Sequence, residues 1–243
     1  MALIAYDSVD AAAFQMTRHL RDDDLATWRE AIGRHFEPQS KMRLLDLGCG
    51  TGSWARAFRE WWPELDVVAV EPSAAMRERI VFQPVVPGSA EDIPCEDGSL
   101  DGVWLSTVIH HVPDLAAAAR EIRRVLKPGA PVLIRSAFAG RHEAISLFRW
   151  FPEAVAVLDR YPSISDAEAA FATAAFTTVA CEPVSQVTAL SLAEAAAGLH
   201  REAHTPLQLI SDEEYAAGVV RMNDAARMQS GPVIDALDLL VLR

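Results

Sequence analysis

Four stretches of this chain carry residue types able to do chemistry. The first is Leu44-Leu45-Asp46-Leu47-Gly48-Cys49-Gly50-Thr51-Gly52, an apolar run containing one acid and ending in alternating glycines. Glycines spaced in this way permit a tight strand-to-helix turn and let a ligand come close to backbone. The second is Glu71, which ends Val68-Ala69-Val70-Glu71-Pro72 about twenty residues past the loop, where an acid can accept both hydroxyls of a ribose. The third is Gly88-Ser89-Ala90-Glu91-Asp92-Ile93-Pro94. The fourth is His110-His111, the only adjacent histidines, which follow Leu100-Asp101-Gly102-Val103-Trp104-Leu105-Ser106. Imidazole is the side chain best suited to moving a proton near neutral pH. The glycine loop does not by itself name its ligand. A dinucleotide fingerprint needs a third glycine at position 53, where this chain has Ser53, and this argues against a nicotinamide dehydrogenase.

Strands and helices must alternate to bring these stretches together. Apolar periodicity predicts strands over residues 43–47, 66–70, 85–86, 101–105 and 131–136. It predicts helices over 22–36, 53–62, 73–81 and 114–126, with Ser73 and Asp114 as N-caps and Pro38, Pro63 and Lys127-Pro128-Gly129 as stops. Such alternation implies βαβ units and a doubly wound, mostly parallel sheet with right-handed crossovers. Ligands of these sheets bind at the carboxyl ends of the strands, where strand order reverses. The later part of the chain reads differently. A helix is expected over 141–161, another over 165–176 capped by Ser163 or Ser165, and a strand over 177–189 interrupted by Pro183. Helices over 191–200 and 211–228 then precede a last strand over 234–242.

Composition narrows the partners. The net charge is −12, and only Lys41 and Lys127 are lysines. Neither nucleic acid nor an anionic membrane surface suits such a chain. No apolar run reaches the ~18 residues of a membrane span, and the N-terminus lacks the basic start of a secretory signal, so a cytoplasmic location is expected. Cys49, Cys95 and Cys181 are too scattered for a disulfide framework. His200 and His204 are four apart, but Thr205-Pro206 breaks the helix there and no metal site is expected.

The loop at 46–52 resembles motif I of the class I, Rossmann-like S-adenosylmethionine-dependent methyltransferases of the small-molecule type. Glu71, the 88–94 segment, the 100–106 segment leading into His110-His111-Val112-Pro113-Asp114, and Glu121-Ile122-Arg123-Arg124-Val125-Leu126-Lys127-Pro128-Gly129-Ala130 agree with that family in order and spacing. Ala130 stands where the family usually has a second glycine. The resemblance covers residues 41–136. The 163–189 region and the terminal strand also fit the family's last helix and antiparallel strand pair. It implies a single domain with a seven-stranded sheet, a helical cap from residues 1–36, a cofactor-binding core over 41–136, and helical insertions at 139–162 and 191–231.

The resemblance also implies the cofactor, S-adenosyl-L-methionine, with S-adenosyl-L-homocysteine as product. Asp46, Gly48, Cys49, Gly50, Glu71, Pro72, Met76, Ala90, Glu91, Asp92, Ile93, Ser106 and His111 would line its site. Asp92 would accept from the adenine amino group, Ile93 would pack on the ring, and Ser106 would meet the methionyl part through backbone. His110 or His111 is the candidate base, with His142 a further candidate and Tyr6, Arg135 and Trp150 candidates for the cap. The methyl acceptor would be an oxygen, nitrogen or carbon atom of a small molecule. A protein of this fold that binds the cofactor without methyl transfer, for a rearrangement or a binding role, is the alternative.

Overall fold

The computed structural model describes residues 25–243 together with Val9, Ala11 and Ala12. Seven strands form one sheet: β1 (Arg43–Leu47), β2 (Asp66–Val70), β3 (Val85–Val86), β4 (Gly102–Ser106), β5 (Val132–Ser136), β6 (Thr178–Ala189) and β7 (Val233–Leu242). Their order is β3-β2-β1-β4-β5-β7-β6. The first five are parallel, and β7 runs antiparallel to both β5 and β6. Strand order therefore reverses between β1 and β4, at the glycine loop, where such sheets open a ligand crevice.

The strands are apolar on both faces because both are covered. Leu45, Leu47, Val103, Leu105, Val132 and Ile134 pack with Ile122 and Val125 of α4 (Leu115–Val125) and with Ala167 and Phe171 of α7 (Ile164–Ala172). On the other face Leu44, Val67, Ala69, Trp104 and Leu133 pack with Trp28, Ile32 and Phe36 of α1 (Ala26–Phe36) and with Trp54 and Phe58 of α2 (Ser53–Trp61). Trp28 is fully buried, its ring centre 6.1 Å from those of Trp54 and Trp104. Of the expected 1–36 cap, residues 26–36 pack as a layer on this face of the sheet. Residues 1–24 lie outside the described residues, apart from Val9, Ala11 and Ala12.

Three other expectations change. The helix after Ser73 is a single turn, α3 (Ala74–Arg77), rather than a run to Val81. The chain leaves it so that Val81 N–H can donate to Thr51 carbonyl at 2.8 Å and so that Ile80 and Phe82 can lie against Gly52. β6 continues through Pro183, which pairs with Asp238; at the sheet edge a missing N–H is tolerated. The helix expected over 141–161 is broken by Pro152 into α5 (Ser146–Trp150), a 3-10 turn at Pro152–Ala154, and α6 (Val155–Leu158).

The insertions do not stand apart. Phe148, Trp150, Phe151, Leu158 and Tyr161 of the first share a core with Leu192 of α8 (Leu192–Ala197), Leu207 of α9 (Thr205–Gln208) and Met222 of α10 (Asp212–Ala226). They meet at Gly218 of α10, which lies against Phe151, whose side chain is fully buried. A Cβ on Gly218 would lie 2.1 Å from the Phe151 ring. Gly218→Ala should therefore lower the unfolding free energy by about 1–3 kcal/mol, the usual cost of overpacking. Phe151→Leu in the same chain should return part of it. Urea unfolding of the three variants checks this, and an unaffected Gly218→Ala would mean that the two insertions do not pack as one unit.

Candidate functional site

The loop after β1 is stitched to the end of β2. Gly48 N–H and Cys49 N–H both donate to Val70 carbonyl, at 2.8 and 3.0 Å. Gly48 has φ +70°, and a Cβ there would come within 2.8 Å of both methyls of Val108. Only glycine lets the loop turn this sharply against the segment that follows β4. Glu71, one residue past β2, closes the stitch. Its Oε2 accepts from Gly50 N–H and its Oε1 from Ser73 N–H, each at 2.8 Å. Arg77 donates to the carbonyls of Glu71 and Pro72, both at 2.7 Å, and Ser73 Oγ caps α3 by accepting from Met76 N–H. Burial raises the Glu71 pKa, while the two N–H donors and the Arg77 charge pull it down.

Asp46 sits one layer deeper. It is 1% exposed, and Ala55 N–H, in the first turn of α2, donates to its carboxyl. Its Oδ2 has no hydrogen-bond partner among the described residues. Burial pushes its pKa up to about 8, against the Ala55 bond, and the Glu71 carboxylate adds to the rise. Cys49, also buried, has its thiol pushed up by burial and by the same two acids, so it is an inert side chain and not a nucleophile.

The 88–94 segment makes a tight turn in which Ser89 and Asp92 exchange backbone hydrogen bonds of 3.2 and 3.3 Å. The Asp92 side chain faces solvent, and Ala90 packs half-buried on the core. Glu91 accepts from Asp114 N–H at 3.0 Å, beside the start of α4. Ile93 and Met76 are each 2% exposed, and Ile93 lies within the core cluster; their side chains are engaged in packing rather than displayed on an open face. Pro72 is exposed.

Beyond β4, Thr107 takes φ +56°, a left-handed conformation costly for a β-branched residue. Its N–H donates to Arg135 carbonyl at 2.7 Å, which holds the turn. A 3-10 turn, Ile109–His111, follows. The His110 and His111 rings are 4.0 Å apart, tilted by 46°. His110 also lies flat on Tyr161, with centres 4.0 Å apart and planes 7° from parallel. Burial lowers the His111 pKa to about 4. Ser106 Oγ accepts from Arg135 Nη1 at 3.1 Å, and the buried Arg135 guanidinium lies 4.9 and 5.4 Å from the ring centres of Trp28 and Trp54.

Thus Asp46, the glycine loop, Glu71, Ser106 and the histidine pair occupy adjoining strand ends. Trp150 is 9% exposed inside the insertion core, His142 has its ring centre 6.3 Å from that of Phe148, and Tyr6 lies outside the described residues. Tyr161 was not among the residues the sequence singled out. Its only signal was that it closes the apolar 141–161 stretch, and this does not say which side chain it meets. A groove of about 660 Å³ between α1 and α2, lined by Arg29, Glu60, Trp61 and Trp62 among others, contains none of the motif residues.

A family model described as a methyltransferase domain matches residues 16–180. The chain belongs to this methyltransferase family. Among curated relatives, the methyltransferase is 32% identical over 151 residues to the malonyl-[acyl-carrier protein] O-methyltransferase of Erwinia pyrifoliae, covering 61% of this chain and 57% of that protein. The chain thus matches little more than half the length of that relative. In fold it is similar to the crystal structure of a protein described as a methyltransferase of an antibiotic biosynthesis pathway in Anabaena variabilis, with TM-score 0.69 and 19% identity over 92% of this chain and 100% of the other. It is also similar to the geranyl diphosphate C-methyltransferase of Streptomyces coelicolor, solved with S-adenosyl-L-homocysteine, with TM-score 0.53 and 17% identity over 89% of this chain and 78% of that one.

The buried acid of this methyltransferase gives a testable pH dependence. Burial holds the folded Asp46 pKa at about 8, against 3.8 for an exposed aspartate. Between those values the native chain holds a proton that the unfolded chain releases, so Asp46 makes stability fall as pH rises from about 4 to about 8. Its contribution is complete below that window and lost above it. Asp46→Asn should flatten the fall. Urea unfolding of the cofactor-free protein across that range checks the sign; a wild-type slope unchanged by the substitution would show that Asp46 is ionised in the fold.

Proposed function

We propose that this methyltransferase moves the methyl group of S-adenosyl-L-methionine to an oxygen, nitrogen or carbon atom of a small molecule. One observation carries the reading. At the switch point of the sheet, a loop with three left-handed glycines lies between a buried carboxyl with an unpartnered oxygen, Asp46, and a backbone-held carboxylate, Glu71. A buried polar atom left unsatisfied is costly, and a cationic ligand group would relieve it. The cofactor carries an ammonium for Asp46 and a vicinal diol for Glu71, so the residues fit it.

In this reading Glu71 keeps its two backbone bonds and takes the ribose hydroxyls on its remaining lone pairs. Gly48, Cys49 and Gly50 lend close-approaching backbone. Pro72, Met76, Ala90, Glu91, Asp92 and Ile93 bound the adenine end, with the exposed Asp92 carboxylate able to accept from the adenine amino group. Ser106 and His111 border the methionyl end. When bound, the cofactor supplies a methyl carbon already activated by its positive sulfur. What remains for the chain is to hold the acceptor in line, exclude water and, for an alcohol or amine, take up a proton. Burial holds the His111 pKa near 4 and makes it a weak acceptor, so we take His110 as the candidate for the last task. The helical unit of residues 139–162 and 191–231, with the segment before Leu25, would cover the acceptor. The −12 charge supports a small acceptor over a nucleic acid. The names of the malonyl-[acyl-carrier protein] O-methyltransferase and of the geranyl diphosphate C-methyltransferase support a range of acceptors for this fold.

Two outcomes test the reading. Glu71→Ala should weaken S-adenosylhomocysteine binding at least tenfold, since it removes charge-assisted hydrogen bonds of about 1.5–3 kcal/mol each. It should also destabilise the loop, because Gly50 and Ser73 N–H lose their acceptor. Unchanged affinity by calorimetry would take Glu71 out of the site. In a screen of small acceptors, appearance of S-adenosylhomocysteine separates methyl transfer from a non-methylating role. With an alcohol or amine acceptor, His110→Ala should lower kcat by roughly 10²–10⁴ with little change in cofactor affinity. A wild-type rate that falls at low pH only around 4 would assign the proton to His111 instead.

A further inference from the structure

We propose that Tyr161 is a positioning residue for His110, locking the imidazole at the rim of the crevice and tying its orientation to the helical insertion. The proposal rests on the reading of His110 as the proton acceptor. His110 sits in a single 3-10 turn whose backbone bonds, His111 to Val108 and Val112 to Ile109, fix the chain but leave the ring a torsional choice. The flat contact with Tyr161, 4.0 Å and 7°, removes that choice on one face. The neighbouring His111 ring, with its centre 4.0 Å away and tilted by 46°, crowds it further. Aromatic pairs of this kind add specific stabilisation beyond their area. The tyrosine face also attracts the positive charge that develops on an imidazole as it takes a proton.

Tyr161 can serve as an anchor because it is itself fixed. It is 7% exposed and belongs to the insertion core with Leu158 and Phe148. Tyr161 N–H donates to Leu158 carbonyl at 2.8 Å, and Pro162 carbonyl accepts from Ala139 N–H at 3.3 Å, joining the turn to the chain just past β5. A displacement of the insertion therefore displaces the surface against which His110 lies. An error of about 1 Å in a reacting group can cost on the order of 10² in rate.

The first test needs no acceptor. Nuclear Overhauser contacts between the His110 and Tyr161 rings should appear in the wild-type protein loaded with S-adenosylhomocysteine. The His110 ring resonances should hold their positions in Tyr161→Phe, which keeps the stack, and move in Tyr161→Leu, which removes it. Absent contacts, or His110 resonances unmoved in Tyr161→Leu, would overturn the proposal. With an alcohol or amine acceptor from the screen, Tyr161→Leu should lose on the order of 10² in kcat at unchanged S-adenosylhomocysteine affinity, and Tyr161→Phe should restore most of the rate. In a His110→Ala background Tyr161→Leu should cost nothing further, since one residue acts through the other. If His110→Ala is slow and Tyr161→Leu is as fast as wild type, the positioning fails and the base stands. If His110→Ala itself is as fast as wild type, the base fails and the positioning with it.

Discussion

The Glu71 carboxylate is the interaction on which the site depends. It joins Gly50 of one βα loop to Ser73 of the next, and the Val70 carbonyl just before it takes the N–H groups of Gly48 and Cys49. Two strand ends are thereby bound into one rim. The arrangement needs glycine at 48, because any side chain there would meet Val108, and it needs an acid at 71, because two backbone donors converge on it. A neutral acceptor could serve the donors, but it would not also present negative charge to a diol. The acid that organises the loop and the acid proposed to read the ligand are one group, so its structural and binding roles cannot be mutated apart.

The same economy explains Asp46. A carboxyl in the second layer, bonded to the start of α2 and otherwise unsatisfied on Oδ2, is expensive in a folded protein. Holding a proton lowers that cost in the absence of ligand. Strain elsewhere follows the pattern: Thr107, at φ +56°, turns the chain out of β4 directly before the histidines. Local costs gather at the strand ends, while the sheet beneath, packed with Trp28 and Trp104 on one face and with Ile122 and Val125 on the other, is in position to absorb them.

The rim proposed to hold the cofactor is foreseeable in the sequence because its parts are local. Asp46 with the glycines, Glu71 at the end of a strand, and the turn ending in Asp92 are each contained in a few residues, and strand alternation places them at one edge. The strands were legible for the same reason: β1, β2 and β3 fall where apolar runs are bounded by turn residues. What sequence could not show is long-range. Helix α1 has the pattern of any amphipathic helix, and only contact with Trp54 and Trp104 makes it a sheet layer. The early end of α3 comes from Ile80 and Phe82 finding Gly52, and the continuity of β6 through Pro183 from its place at the edge. Burial, which lowers the His111 pKa, leaves no mark on two adjacent letters.

The acceptor side is built on a different principle. His110, Arg135 and Tyr161 come from three loops or strands, and the last reaches the site only because two insertions separated by β6 pack together through Phe151 and Gly218. No short motif can encode such a surface, since each member is specified by a partner far along the chain. On the proposed function, cofactor binding and acceptor selectivity would lie in different parts of the molecule. In the proposed reading the loop and its two acids answer to the cofactor alone. The helical unit is constrained only to fold and to press an aromatic ring against the rim, so its other faces are free to suit the acceptor. Substitutions that preserve the Tyr161 contact while reshaping the unit around it would then change which molecule is methylated before they change how the methyl group is delivered.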